Sequence, residues 1–201
     1  MPKILLGDAN LPLSSLTALA APGAKVALTK QSAQRVRDCR RLVDRAVARG
    51  ATMYGINTGF GKLAGVRIAD EQLGQLQKNL LLSHATGVGE PLTLAQCRLA
   101  FALRIHNLAL GFSGVRPELI ELAIALFNGD FVPVIPSQGS VGASGDLAPL
   151  AHMVLPLIGL GEVFHQERVL PAATALARLG LAPIELREKE GLALINGTQI
   201  M

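Results

Sequence analysis

The stretch Gly139–His152, GSVGASGDLAPLAH, collects small residues directly before an apolar segment. A glycine-rich turn that leads into a helix can bind phosphate, present a serine nucleophile or simply connect two elements. The first two uses require particular residues at fixed spacing, so the sequence itself discriminates among them.

None of the familiar glycine-rich motifs fits well. A phosphate loop has the pattern G-x-x-x-x-G-K-[ST]. Around Lys62, in GINTGFGKL, Ile56 stands where the first glycine belongs and Leu63 where the Ser or Thr belongs. A dinucleotide fingerprint, G-x-G-x-x-G, is weak there because Ala64 replaces its last glycine. A hydrolase elbow, G-x-S-x-G, fails because Asp146 replaces the second glycine.

The segment Ala143-Ser144-Gly145 permits a reaction of the backbone with itself. Because Gly145 has no Cβ, its amide nitrogen can approach the carbonyl carbon of Ala143 and close a five-membered ring. Loss of one water from the ring and a second from Ser144 leaves a 4-methylideneimidazol-5-one (MIO), a strong electrophile. A following helix N-terminus would stabilise negative charge on the ring oxygens. Taken alone, however, the tripeptide favours the plainer interpretation of a small-residue helix start.

Four further motifs accompany this stretch. They are YGINTGFG (54–61), LLLSHATGVG (80–89), GFSGVRPELIE (111–121) and EGLALINGTQ (190–199). In this order they resemble the aromatic amino acid ammonia-lyase family, whose members build MIO from Ala-Ser-Gly. The resemblance implies that Ala143, Ser144 and Gly145 form the electrophile and that Asp146 assists the cyclisation. It also implies a mainly α fold of the fumarase/aspartase-like superfamily, with short extended segments near residues 3–6 and 131–136.

The resemblance assigns the remaining site residues. Tyr54 matches the base that acts on the substrate β-carbon, and Asn196 matches an amide that binds the ring or the substrate amine. The pair Ser83-His84 resembles the selectivity site of the histidine-specific members. Plainer alternatives stay open: Tyr54 as a core or turn residue, His84 as a histidine favoured by a helix C-terminus, and Asn196 as part of an Asn-Gly turn.

The implied reaction is the non-oxidative deamination of L-histidine to trans-urocanate and ammonia, the first step of histidine degradation. The substrate amine, or in an alternative the ring, adds to the methylene derived from Ser144, and Tyr54 takes the β-proton. This chemistry needs no external cofactor and no metal. A tyrosine or phenylalanine ammonia-lyase, an aminomutase, or a catalytically inactive helical module are the alternatives.

Family members are more than twice as long as this chain. We therefore expect residues 1–201 to form the N-terminal, MIO-bearing domain, with the C-terminal helical half absent through truncation or fragmentation. The resemblance also implies a homotetramer of the full-length form, in which residues beyond this segment bind the substrate carboxylate.

Composition favours a helical protein without nucleic-acid or membrane partners. The 201 residues are 50% hydrophobic and only 3% aromatic, with a formal net charge of +4. A cluster of arginines without aromatic neighbours predicts a solvated helix face rather than a nucleic-acid interface: Arg35, Arg37, Arg40, Arg41 and Arg45. Cys39 and Cys97 stand far apart, which favours a reducing cytoplasm over a disulfide. No apolar run is long enough for a membrane span, and no histidine stands at metal-ligand spacing.

Start and stop signals predict a succession of helices. Ser32 is the expected N-cap of a helix that reaches Ala48, and Pro156 is expected to end the helix that begins near Asp146. The other predicted helices are 70–84, 93–110, 117–128, 172–179 and 187–195.

Overall fold

The computed structural model of the chain describes residues 3–8, 10–50, 52–142, 145–166 and 168–201. Its α-helices are α1 (Ser14–Ala20), α2 (Lys30–Ala48), α3 (Leu73–His84), α4 (Leu94–Ala109), α5 (Pro117–Asn128), α6 (Leu147–Val154), α7 (Ala172–Arg178) and α8 (Glu190–Ile195). Its strands are β1 (Ile4–Leu6), β2 (Val26–Leu28), β3 (Val88–Pro91), β4 (Val132–Pro133), β5 (Pro136–Gln138), β6 (Glu162–His165) and β7 (Arg168–Pro171). The mainly α fold and the extended segments near residues 3–6 and 131–136 are confirmed.

The N-cap of α2 is Thr29, and the prediction of Ser32 is wrong. The Ser32 N–H donates to Thr29 Oγ1 at 3.0 Å, which makes Ser32 the third residue of the first turn. The Ser32 hydroxyl instead donates to the Ala109 carbonyl at 2.6 Å, at the end of α4. Thr29 and Ser32 both carry a hydroxyl that suits an N-cap. Because the Ser32 hydroxyl binds the Ala109 carbonyl, Thr29 takes the capping position.

Two helices begin later than their sequence signals indicate. Residues Asp70–Gln72 form a 3-10 turn before α3. The helix predicted from Arg187 begins only at Glu190, because Lys189 has a φ of +69° and interrupts the helical path. Pro156 has the predicted effect, since α6 ends at Val154 and passes into a 3-10 turn.

Helix α4 lies at the centre of the fold and contacts α1, α2, α5 and β4. Buried side chains occupy most of its circumference, so it lacks the single apolar stripe of a surface helix. Two of these side chains are arginines, Arg98 and Arg104. Arg98 pairs with Asp130 and places its guanidinium 4.3 Å from the centroid of the Phe127 ring.

Short strands bring distant loops together. Strands β1 and β2 are parallel, whereas β4, β6 and β7 form an antiparallel sheet in that order. Antiparallel pairing of β3 with β5 places Val88 opposite Gln138. This pairing holds the loop that follows α3 beside the entrance to the Gly139–His152 stretch.

The arginine cluster on α2 is only partly a solvated face. Arg37, Arg41 and Arg45 are exposed as predicted. Arg40 is 5% exposed and donates to Glu188 Oε2 at 2.9 Å and to Asp44 Oδ1 at 2.7 Å, so the prediction is wrong for this residue. Its ion pair ties α2 to the segment that precedes α8.

The described residues carry neither a membrane-spanning helix nor an evident metal centre. Among these helices, none combines the length and hydropathy that a bilayer span requires. No group of three or more His, Cys, Asp and Glu side chains in the same residues is arranged to hold a metal ion. Cys39 and Cys97 are free thiols.

Replacing Glu190 by glutamine is expected to cost about 3 kcal/mol in the free energy of unfolding at neutral pH. Glu190 is fully buried and accepts hydrogen bonds from three N–H groups of Arg116 and from the Arg187 N–H. Burial by itself raises the pKa of this carboxyl group, but the bonds from Arg116 and Arg187 outweigh it and lower the pKa below 4.5. Urea unfolding measures the cost.

The pH dependence has a definite sign. A carboxylate whose pKa is depressed by folding stabilises the protein above its unfolded pKa, and this stabilisation is lost as the pH falls through the folded pKa. The difference between wild type and E190Q should therefore shrink below about pH 4.5. Exposed Glu185 supplies the matched control, since E185Q should leave the free energy of unfolding unchanged both at neutral pH and below about pH 4.5. A pH-independent difference would contradict the assignment.

Candidate active site

The structure describes the two flanks of the predicted electrophile segment. Ala143 and Ser144 themselves lie outside the described residues. Gly145 has a φ of +149°, a conformation that residues with a Cβ rarely adopt. A Cβ added there would lie 3.1 Å from Asn196 Oδ1 and 3.3 Å from the Gly197 carbonyl oxygen. The backbone conformation therefore favours glycine at this position, and the surrounding atoms leave little room for a Cβ.

Asp146 joins this segment to the residues that follow α8. Its side chain is buried, and Oδ2 accepts from the N–H groups of Ile200 at 2.8 Å and Met201 at 2.9 Å. The Asp146 N–H donates to the Gly197 carbonyl at 2.7 Å. Although Asp146 stands at the N-cap position of α6, its carboxylate makes no capping bond to that helix. The carboxylate is directed to the 196–201 segment instead.

A buried arginine, Arg104, packs against the end of α8 and the 196–201 segment. The sequence analysis did not single it out. Arg104 donates to the carbonyls of Ala193 and Leu194, the last turn of α8, and lies 3.4 Å from Gln199 Oε1. Burial lowers the pKa of its guanidinium to about 10, so it remains charged at neutral pH. Its sequence signal is an arginine that interrupts the apolar run 99–105 of α4.

Gly197 packs against the ends of two polar side chains, Arg104 and Gln199. A Cβ on Gly197 would lie 2.4 Å from Arg104 Nη1 and 2.3 Å from Gln199 Oε1. Asn196, which precedes it at the C-cap of α8, is exposed. Gly197 thus lies on Arg104, and the side chain of Asn196 lies near Gly145.

Tyr54 stands on a loop that packs against α8. A Cβ on the neighbouring Gly55 would lie 2.3 Å from Leu192 Cδ2, which shows how closely the loop approaches the helix. Buried Asn57 closes the loop by accepting from the Met53 N–H at 2.8 Å. The Tyr54 ring is 59% exposed and meets Phe60 edge to face at 6.1 Å, so Tyr54 is not a core residue.

Ser83 and His84 end α3. His84 Nδ1 lies 2.8 Å from the Leu80 carbonyl oxygen, and Ser83 Oγ donates to the same oxygen at 3.1 Å. Because a carbonyl can only accept, Nδ1 carries the proton in this arrangement and Nε2 of the neutral ring is an acceptor. The bond to Leu80 agrees with the alternative of a helix-terminal histidine, and it leaves Nε2 available.

The segment after His84 is fixed against the electrophile loop. The Gly87 N–H donates to His152 Nε2 at 3.0 Å, and a Cβ on Gly139 would lie 3.3 Å from the Gly87 Cα. Burial lowers the pKa of His152, which favours the neutral ring that can accept this bond. His152 thus has a structural role, because it holds the Gly87 backbone.

The predicted residues are brought together to different degrees. Gly145, Asp146 and Asn196 form one contiguous group, whereas Ser83 and His84 are linked to it through Gly87. Tyr54 is linked to this group through α8, because its loop packs against Leu192. Within the part of the chain that the structure describes, no hydrogen bond joins Tyr54 or His84 directly to Asn196.

Comparison with known proteins identifies the family of the chain. The chain matches the aromatic amino acid lyase family over residues 11–201. It is 53% identical over 200 residues to histidine ammonia-lyase of Myxococcus xanthus, which covers 100% of this chain and 39% of that protein. The crystal structure of histidine ammonia-lyase from Trypanosoma cruzi aligns with a TM-score of 0.90 and 39% identity, over 99% of this chain and 38% of that one.

A second activity is represented among the similar structures. Tyrosine aminomutase from Streptomyces globisporus aligns with a TM-score of 0.90 and 34% identity, over 98% of this chain and 37% of that one. The chain spans about two fifths of the length of the curated relatives it matches. Since the family match extends over nearly all of its residues, the chain belongs to the aromatic amino acid lyase family of ammonia-lyases.

Proposed function

We propose that this chain is the electrophile-bearing part of an enzyme that converts L-histidine to trans-urocanate and ammonia. The observation that carries the proposal is the fixation of Gly145 and Asp146 on the 196–201 segment. A plain helix start would need neither the close approach of Asn196 nor a buried carboxylate aimed away from its own helix. The identity with histidine ammonia-lyases supports histidine as the substrate.

The residues present fit an MIO group built from Ala143, Ser144 and Gly145. Gly145 already lies in a cradle that a Cβ would fill, beside the amide oxygen of Asn196. When formed, the group supplies an electrophilic carbon that binds the substrate amine and makes nitrogen a better leaving group. Asn196, whose side-chain oxygen lies near Gly145, would orient that amine by a hydrogen bond. Tyr54, exposed on its loop, takes the proton from the substrate β-carbon.

His84 and Ser83 would recognise the imidazole. With Nδ1 donating to Leu80, His84 Nε2 can accept from an N–H of the substrate ring. The Ser83 hydroxyl lies 3.2 Å from His84 Nδ1 and steadies the ring in this orientation. A site built around such bonds rejects an apolar ring, because its polar groups would be buried without partners.

Replacing His84 by leucine is expected to lower kcat/KM for L-histidine about 100-fold and to leave that for L-phenylalanine equal or higher. The variant removes the acceptor Nε2 and presents an apolar surface in its place. Steady-state rates on both amino acids measure the change. His165, which stacks on Phe131 away from this group, offers the control H165L. An unchanged preference in H84L would remove the reason for assigning selectivity to His84.

Turnover tests the proposal as a whole. Residues 1–201 replace the matching segment of the Myxococcus xanthus relative, and the chimera is assayed with L-histidine, L-tyrosine and L-phenylalanine. Equimolar urocanate and ammonia from L-histidine is the expected result. A β-amino acid from tyrosine or phenylalanine would favour an aminomutase instead. No turnover, together with specific binding of the 201-residue chain to the full-length relative, would favour a non-catalytic helical module.

We further infer, from the family resemblance alone, that the active assembly is a homotetramer working in the cytoplasm. Light scattering of the chimera measures the number of subunits directly. A monomeric chimera with full activity would contradict this assembly.

A further inference from the structure

Ser140 makes two hydrogen bonds that span the Ala143-Ser144-Gly145 tripeptide. Its hydroxyl donates to Asp146 Oδ1 at 2.6 Å, on the C-terminal side. The same oxygen accepts from the Gly142 N–H at 3.3 Å, on the N-terminal side. One small side chain therefore links the residue before the tripeptide to the residue after it.

The far end of this link is fixed independently. Asp146 Oδ2 accepts from the N–H groups of Ile200 and Met201, and the Asp146 backbone binds Gly197. The carboxylate is buried, with three donors in place. Consecutive bonds from Gly142 through Ser140 to a charged acceptor reinforce one another, because each donor is polarised by the next.

From this geometry we infer that Ser140 is a positioning residue for electrophile formation. By tying Gly142 to the anchored Asp146, it restrains both ends of the intervening tripeptide. A segment held at both ends loses less conformational freedom when it reaches the geometry that ring closure requires. The inference rests on the proposed function, since it concerns the step that creates the electrophile.

The step it assists is balanced without any further reactant. The Gly145 nitrogen bonds to the Ala143 carbonyl carbon, whose oxygen leaves as water with the hydrogens of the Gly145 and Ser144 N–H groups. A C=N bond then joins the Ala143 carbonyl carbon to the Ser144 nitrogen. A second water takes the Ser144 hydroxyl and its Cα hydrogen. Ser140 contributes no atom to the product.

The test follows the intact mass of newly synthesised chain with time, in a cell-free system, for wild type, S140A, S140T and S137A. Loss of two waters from S140A should be about 10- to 100-fold slower than from wild type, the effect of one lost bond to a charged group. S140T retains the hydroxyl and should react at nearly the wild-type rate. Ser137, exposed in β5, is the matched control. S140A loses a donor to the buried Asp146 carboxylate and should therefore unfold at a somewhat lower temperature. The rates are compared at a temperature well below the unfolding midpoints of all four chains.

The outcomes separate this inference from the proposed function. S140A dehydrating at the wild-type rate overturns the inference and leaves the proposed function standing. Equal slowing in S140A and S140T also overturns it, because the hydroxyl would not be the acting group. Slowing in S140A that disappears at a temperature far below its unfolding midpoint would assign Ser140 to general stability and overturn the inference too. Wild-type chain that keeps its full mass contradicts the electrophile itself, and both proposals fall.

Discussion

Replacing Ser144 by alanine is expected to abolish turnover, with a loss of at least about 1,000-fold in kcat, and to restore mass that the wild-type chain has lost. Within the tripeptide only Ser144 carries a β-hydroxyl that can leave as water. The wild-type chain should therefore weigh two water molecules less than its sequence predicts. Alanine has no leaving group and cannot yield the methylene. Intact mass spectrometry and turnover of the chimera measure the two effects.

The size of the deficit in S144A is itself informative. A mass equal to the one calculated from the sequence means that the ring does not close without the serine. A deficit of one water means that Gly145 attacks Ala143 even when the second elimination is impossible. The control S137A should keep the wild-type deficit and the wild-type rate. A wild-type deficit in S144A would contradict the assignment of the second water to Ser144.

Local signals predict the helices well where they act within a few residues. Thr93 and Gln96 form the reciprocal capping pair that begins α4, and Pro117 begins α5. The signals fail where a distant contact decides. Ser32 loses the capping position to Thr29 because its hydroxyl is used by the end of α4, 77 residues away. No local rule contains that information.

The pairing of β3 with β5 was equally inaccessible. Strand β3, VGEP, is short and has no alternating apolar pattern. It forms because Gly87 and Gly139 allow two backbones to approach closely, with His152 binding the Gly87 N–H. Both glycines lie in motifs that the sequence analysis quoted, but their mutual contact follows only from the tertiary structure.

In the candidate site, too, the sequence motifs identify residues but not all of the contacts that those residues make. The resemblance identifies Gly145, Asp146 and Asn196 as related residues, and the structure places them side by side. It does not foresee the donors to Asp146 from Ile200 and Met201, because these are backbone N–H groups without a side-chain signature. A backbone donor can belong to any residue type, so only the fold reveals it.

Arg104 illustrates a residue that composition conceals. A lone arginine among apolar residues suggests a surface position, yet Arg104 is 2% exposed and binds the carbonyls that end α8. Its charge faces the negative end of a helix dipole, which compensates part of the cost of burial. Through α8 and Gly197 it determines where Asn196 lies. The carbonyl groups that end α8 therefore explain a buried cation at this position.

Replacing Tyr54 by phenylalanine is expected to lower kcat about 100- to 10,000-fold while the mass deficit and the fold persist. The change removes only the hydroxyl that would accept the β-proton. The ring keeps its edge-to-face contact with Phe60. Because Tyr54 is 59% exposed, the free energy of unfolding should change by no more than about 0.5 kcal/mol.

Comparison of Y54F with S144A separates the two roles. Both variants should turn over far more slowly than wild type, but only S144A should lack the two-water deficit, since Tyr54 belongs to proton transfer and Ser144 to the electrophile. The pH dependence of the residual rate in Y54F gives a second readout, because removal of a titrating base flattens that limb of the profile. Unchanged turnover in Y54F would contradict a role as base. Loss of the mass deficit together with turnover would place Tyr54 in electrophile formation or folding, since a group that acts only on the substrate cannot alter the mass of the free chain.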